Sequence, residues 1–400
     1  MVQGTTASFG KLLMDRRDFV KTAGWGTAAL LFNSGAGRGQ GNPGRPAPPP
    51  IEVHGIPPTK PSALGIPGLI PGRVIEVFHA DSITANRVSQ PIVGHMLHEG
   101  MKELTGERSR EAAWQRFIEP HDVVGIKINS SGAPVCCSSP EIVREIIAAL
   151  RSIGVPAENI VVFDRYAYEM ELGAYQTVMP VGIRMVGIEY GAFDAAHYDF
   201  DVYCDADFFG ESETRCFLAK VVTQEVTKII NIPTMKDHSA SGVTGCLKNL
   251  GYGCFNNVAR THQQPYTYTD PLIGYLCSTE PLRSKTVLHI MDGMREIWHG
   301  GPITSNWEFI CEAKTLFLST DPVAVDTVEL EAIEKKRREE GAISLWDNDP
   351  NTLTNNGDEF HHNSHKNLYF RQPGHIAAAG KLGLGVSDLQ RIDHRQLRLT

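Results

Sequence analysis

The chain predicts an α/β fold built on a mostly parallel sheet with helices on both faces. Short apolar runs rich in β-branched residues recur, as in DVVGIKIN (122–129), NIVVFD (159–164) and KIINIP (228–233). Helical patterns separate such runs, the clearest being SSPEIVREIIAALRSIG (138–154). The strand–helix–strand order then repeats, which is the βαβ arrangement that buries parallel strands on both faces.

Before the fold comes a leader. DRRDFVKTAGWGTAALLF (15–32) sets Arg16 and Arg17 ahead of Phe19, Lys21 and a short, weakly apolar run. A charged region followed by an apolar one is the order of an export signal, and the paired arginines make it resemble a twin-arginine signal. Residues 1–36 are assigned to it, so the protein is expected to be periplasmic or otherwise exported, with the twin-arginine machinery as a partner. No apolar run approaches the roughly 18–20 residues of a membrane span, so no transmembrane anchor is expected after processing. Residues 37–71 are rich in Gly and Pro and read as a linker.

A single α/β domain is expected over 72–400. RVIEVFHA (73–80) opens it as a strand, followed by a helical pattern over 86–104. After the strand at 122–129, Ser139 offers a cap, Pro140 suits a first helical turn and Gly154 ends the helix. Ile142, Val143, Ile146, Ile147 and Leu150 form its apolar face. GIRMVGIE (182–189) is the strand after NIVVFD, and KIINIP leads to a helix near 242–249. KTVLHIMDGM (285–294) and AKTLFLST (313–320) are further strands, and DPVAVDTVELEAIEKKRREE (321–340) is a helix. Residues 346–374, polar and rich in Asn and His, read as a surface excursion.

Composition narrows the function. A net charge of −8 gives no basic face for phosphate, so no nucleic acid partner is expected. The eight cysteines include no C-x-x-C, which argues against an iron–sulfur cluster and against a zinc ribbon.

Ligands of open parallel sheets bind at the carboxyl ends of the strands. Those ends deliver Lys127 and Asn129, Asp164, Lys236 and His238, Asp292 and Gly293, and Asp321. In NIPTMKDHSASGVTGCLKN (231–249) a loop with Lys236 and His238 precedes a helix on which Thr244 and Lys248 share a face. The free N–H groups of that helix and two lysines would suit an anion, and His238 would move a proton. The same pattern also fits paired lysines and a satisfied polar histidine. HHNSH supplies His361, His362 and His365, with Asp358 and His375 nearby, which reads as solvated surface rather than as a metal site. Asp321 before Pro322 fits a helix cap as well as a metal ligand.

These blocks, with MDGMREIWHGGP and STDPVAVDTV, resemble in order the domain of unknown function 362 family. The family pattern of a lysine, one residue and a histidine, then V-T-G-x-x-K-N, falls on Lys236, His238, Val243, Thr244, Gly245, Lys248 and Asn249. Many relatives carry ferredoxin-like cysteines, which this chain lacks, so the resemblance does not bring electron transfer with it.

The expected function is an enzyme acting on a small anionic substrate by acid/base chemistry, with a divalent metal as an open candidate cofactor. His238, Lys236 and Lys248 are its catalytic candidates, and Lys127, Asn129, Thr244, Asn249 and Gly293 its substrate-binding ones. Asp164, Asp292 and Asp321 are the candidate metal ligands. The rival is a non-catalytic metal- or cofactor-binding or maturation protein of the periplasm.

Overall fold

The computed structural model describes residues 45–60 and 62–400. The twin-arginine segment and the start of the linker lie outside the described residues.

Along the chain the strands longer than two residues are β1 (Glu52–His54), β2 (Arg73–His79), β3 (Val124–Lys127), β4 (Ile160–Tyr166), β5 (Arg184–Glu189), β6 (Tyr198–Asp205) and β7 (Arg215–Ala219). They continue with β8 (Lys228–Asn231), β9 (Thr234–His238), β10 (Thr286–Ile297), β11 (Thr315–Ser319) and β12 (Asp393–Leu399). The main sheet runs in the order β12-β2-β11-β10-β8-β3-β4-β5, with β9 extending alongside β10. From β10 through β8, β3 and β4 to β5 every pairing is parallel. The sheet as a whole is mixed, because β11 is antiparallel to both β10 and β2. A separate antiparallel sheet joins β1, β6 and β7.

Alternate residues of the strands feed two cores, as a period of two requires. Ile160 and Val162 of β4 join Ile126, Ile230 and Ile290 against helices α1 (Gln90–Thr105) and α2 (Pro140–Ser152). The neighbours Val161 and Phe163 join Ile229 and Met291 in the other core. That core packs α4 (Gly245–Cys254) and α5 (Pro322–Glu339), while the short α3 (Ala167–Leu172) follows β4. The apolar face of α2 is the expected one, with Ile142, Val143, Ile146, Ile147 and Leu150 all buried. Truncating one such isoleucine to alanine costs about 2–5 kcal/mol. The start of α2 is held differently from expectation. Ser139 makes no side-chain cap, and its N–H instead donates to the Asp292 carboxylate at 2.6 Å.

Two expectations need correction. The Gly/Pro-rich stretch is not all linker, since Glu52–His54 pair with β6 and Ile66 is buried in a core. Proline fixes the backbone without preventing a strand edge or a packed turn. The polar stretch over 346–374 is likewise not a free excursion. Phe360 is buried against His299, and the guanidinium of Arg371, itself buried, reaches Asp237 at 3.1 Å.

Candidate functional site

The stretch expected as a loop carrying Lys236 and His238 is strand β9. In a strand, residues two apart share a side, so Lys236 and His238 face one cavity while Asp237 faces away. Asp237 is fully buried between Arg371 (3.1 Å) and Arg337 (3.5 Å) and accepts the Gly301 N–H. This ion-paired group pins the back of the strand. Its front opens on a cavity of ≈ 180 Å³.

Seven of the sequence candidates line that cavity: Asn129, Asp164, Lys236, His238, Thr244, Lys248 and Asn249. They come from the ends of β3, β4 and β9 and from the first turn of α4. Lys127 lies just behind them, fully buried, and its ammonium donates to Asp164 and to the Ile128 carbonyl, each at 2.6 Å, and to Asn249 at 3.1 Å. Asp164 also accepts from Ser130 N–H, Ser130 O–H and Arg165 N–H, so its two oxygens are fully engaged. Gly253 permits this arrangement, because a Cβ there would overlap Lys127 Nζ.

The other candidates are placed elsewhere. Asp292 sits in the middle of the long β10, where it takes the N–H groups of Ser139 and Met294. Gly293 lies beside it, opposite Thr315 of β11. Asp321 follows an antiparallel strand, so it emerges at the opposite edge of the sheet. There it caps α5 and accepts from Ala324, Gly72 and Val386. Asp164, Asp292 and Asp321 are therefore not brought together. Among the described residues no group of three or more His, Cys, Asp or Glu is arranged to hold a metal ion. The helix N-terminus expected to receive an anion is also occupied. Helix α4 starts at Gly245, and the N–H groups of Cys246 and Leu247 donate to Asp326 of α5.

Within the cavity the lysines differ. Lys236 is fully buried and donates to Asn129 Oδ1 (2.7 Å) and the Ser131 carbonyl (2.6 Å). Burial, the largest influence, lowers its pKa. Lys248 makes no hydrogen bond or ion pair among the described residues, and its ammonium lies 4.3 Å from the centre of the Tyr252 ring. Burial first, then the positive charges of Lys236 and Arg165, push it down to about 7.

His238 accepts the Ala240 N–H on Nδ1 at 3.0 Å, so the neutral ring carries its proton on Nε2. Burial and the nearby Lys248 hold it well below the ordinary histidine value. His262, its ring 5.2 Å away, is lowered in the same way. Burial thus favours the neutral form of both rings.

The group that sequence reasoning missed is Glu169, on α3 just past β4. It is buried, lines the cavity, and accepts from Tyr168 O–H at 3.3 Å. Burial and then the Asp164 charge raise it to about 7. The signal was its position, five residues beyond Asp164 on the same sheet edge. Arg165 and Tyr252 were missed as well. Arg165 lines the cavity while its guanidinium pairs with Glu189 at 3.0 Å.

No curated protein and no solved structure matches the chain. The profile of the family described as Domain of unknown function (DUF362) matches residues 124–331, a span that contains every residue lining the cavity. As that match covers more than half of the chain, the protein belongs to this family.

Proposed function

We propose that the protein is an enzyme that binds a small anion in this cavity and moves a proton on it. The observation that carries the reading is that one cavity is lined by two buried lysines, Lys236 and Lys248, and by the buried carboxyl of Glu169, with burial the largest influence lowering both amines and raising the acid. An acid or base works best when its pKa lies near the working pH. Lys236 and Lys248 supply the positive field, Asn129, Asn249 and Thr244 the hydrogen bonds, and Glu169 the proton transfer. The Thr244 hydroxyl supports this assignment, being buried without a partner of its own. His238 acts as a neutral donor through Nε2–H rather than as the base. Lys127 holds Asp164 and Asn249 in place from behind. We assign no step to a metal, because the oxygens of Asp164 are spent on Lys127, Ser130 and Arg165. In this reading the protein works outside the cytoplasm after twin-arginine export.

The test uses oxalate as probe and a panel of small 2-hydroxy and 2-oxo acids as substrates. Oxalate should bind in calorimetry, and Lys236→Met should weaken it. Proton NMR in D2O should show exchange at the carbon next to the carboxylate or carbonyl of a panel member, lost in Glu169→Gln. Binding without exchange across the panel would favour the rival, a non-catalytic capture protein. Oxalate binding unchanged in both Lys236→Met and Lys248→Met would remove the cavity from consideration.

A further inference from the structure

Lys248 is placed unlike the other lysine of the cavity. The Lys236 ammonium is held between two acceptors, Asn129 and the Ser131 carbonyl. Lys248 instead rests on the face of Tyr252 at 4.3 Å. Around it stand the imidazoles of His238, His262 and His375 and the cations Lys236 and Arg165. Such a setting disfavours the ammonium and leaves a lone pair available in the cavity. Desolvation beside other cations is a recurrent way of making a lysine a nucleophile at neutral pH.

The neighbours suit one class of reaction partner. Lys236 is a second, fixed cation that can face a carboxylate. The His238 Nε2–H can donate to a carbonyl oxygen, since its Nδ1 is engaged by Ala240. Glu169 is a carboxyl that holds a proton near neutral pH. A volume of ≈ 180 Å³ is below the roughly 300–1,000 Å³ of drug-sized sites, which favours an acid of a few carbons over a nucleotide.

We propose that Lys248 forms an imine with a small carbonyl acid of the 2-oxo acid type, its carboxylate facing Lys236. The inference rests on the anion-site reading and extends it by naming the substrate class and the nucleophile. The neutral amine attacks the carbonyl carbon, forming the C–N bond. The carbonyl oxygen accepts a hydrogen bond from His238 and takes up a proton as the nitrogen loses one. It then leaves as water with a proton from Glu169, and the nitrogen lone pair closes the C=N bond, giving a protonated imine beside the Glu169 carboxylate. Amine, carbonyl and the Glu169 proton thus give protonated imine and water, with no change of oxidation state, and return of the N–H proton to Glu169 restores the acid. The imine then withdraws electrons from the adjacent carbon, where proton exchange becomes easier.

The experiment is reductive trapping. The full protein is incubated with pyruvate or glyoxylate and cyanoborohydride, digested, and mapped by mass spectrometry, with oxalate binding followed in parallel. The adduct should fall on Lys248 ahead of the other lysines, be blocked by oxalate, and vanish in Lys248→Arg and Lys248→Met. Lys236→Met should lower trapping efficiency by about tenfold, the scale of one lost charge-assisted hydrogen bond. Acetone, which lacks the carboxylate, should label more slowly. Adducts spread over surface lysines, or persisting in the Lys248 variants, would overturn the proposal. Oxalate binding with no trapped adduct would also overturn it while leaving the anion site standing. Neither binding nor trapping would remove both.

Discussion

Replacing Lys248 by methionine should make the protein more stable, because methionine fills a similar volume and carries no charge to desolvate. The fall of the Lys248 pKa from 10.5 to about 7 measures the cost. At about 1.4 kcal/mol per pH unit it corresponds to about 5 kcal/mol, an upper bound once the cation–π contact with Tyr252 and local relaxation are allowed for. The sign follows from proton counting. Between pH 7 and 10.5 the unfolded lysine is protonated and the folded one is not, so wild-type stability rises with pH in that window. The advantage of Lys248→Met is therefore full below about pH 7 and fades toward pH 10.5. Urea unfolding at pH 6.5 and 9.5 should show a higher midpoint for the variant at pH 6.5, with an unchanged slope and a smaller gap at pH 9.5. A gain of about 2 kcal/mol or more at pH 6.5 is expected, with trapping and exchange activity lost. If the variant is less stable than wild type at pH 6.5, or the gap ignores pH, Lys248 is a satisfied structural cation and the reasoning fails.

Three further outcomes follow from other parts of the molecule. Glu169→Gln should abolish exchange yet keep oxalate binding in calorimetry. It should also stabilise the fold increasingly as pH rises from 4.5 to about 7 in urea titrations, because the raised pKa makes the folded state favour the protonated acid. Gly253→Ala should cost about 1–3 kcal/mol in the same unfolding assay, the scale of an overpacked core, since the new Cβ crowds the end of Lys127 where it pairs with Asp164. Arg16→Lys with Arg17→Lys should leave the precursor in the cytoplasm on cell fractionation. Unchanged export of that double variant would sink the twin-arginine assignment.

Much of the fold was legible because hydrophobic period is a local signal. The runs at 122–129, 159–164, 182–189 and 228–233 became β3, β4, β5 and β8, all parallel, as β-branched runs between helices imply. What the period could not carry was strand direction. AKTLFLST reads as the same kind of strand, yet β11 runs antiparallel, and that reversal alone takes Asp321 to the far edge. Length of pairing was equally hidden. KTVLHIMDGM was read as a strand over 285–294 that delivers Asp292 and Gly293 at its carboxyl end, whereas β10 continues to Ile297 and leaves Asp292 in its middle, where it serves the start of α2. The lining of the cavity was legible in part: Thr244 and Lys248, four apart across a helix start, lie on it together, while Lys236 and His238, expected in a loop, do so because they stand two apart in strand β9. Glu169 was missed although it stands only five residues beyond Asp164, because it belongs to the short helix α3 after β4 and not to the strand end itself.

The capping of α4 by Asp326 changes what kind of anion site this cavity can be. A free helix N-terminus offers fixed N–H groups whose partial charge does not titrate. With Cys246 and Leu247 spent on Asp326, the positive field must come from side chains. Asp164 is tied to Lys127, Arg165 is paired with Glu189, and His238 and His262 are held neutral. Lys248 and Glu169 remain as the groups that change near neutrality, and they change in the same direction. As pH rises through about 7 the lysine loses its positive charge and the carboxyl gains a negative one. The cavity then becomes more negative by about two charges within a narrow pH range. On its acid side it attracts an anion, and on its alkaline side it repels one. The same shift frees the Lys248 lone pair while removing the Glu169 proton, so nucleophile and acid are available together only where their titrations overlap. Under the proposed function, such a site trades the steady affinity of a helix dipole for a reaction window centred near neutral pH.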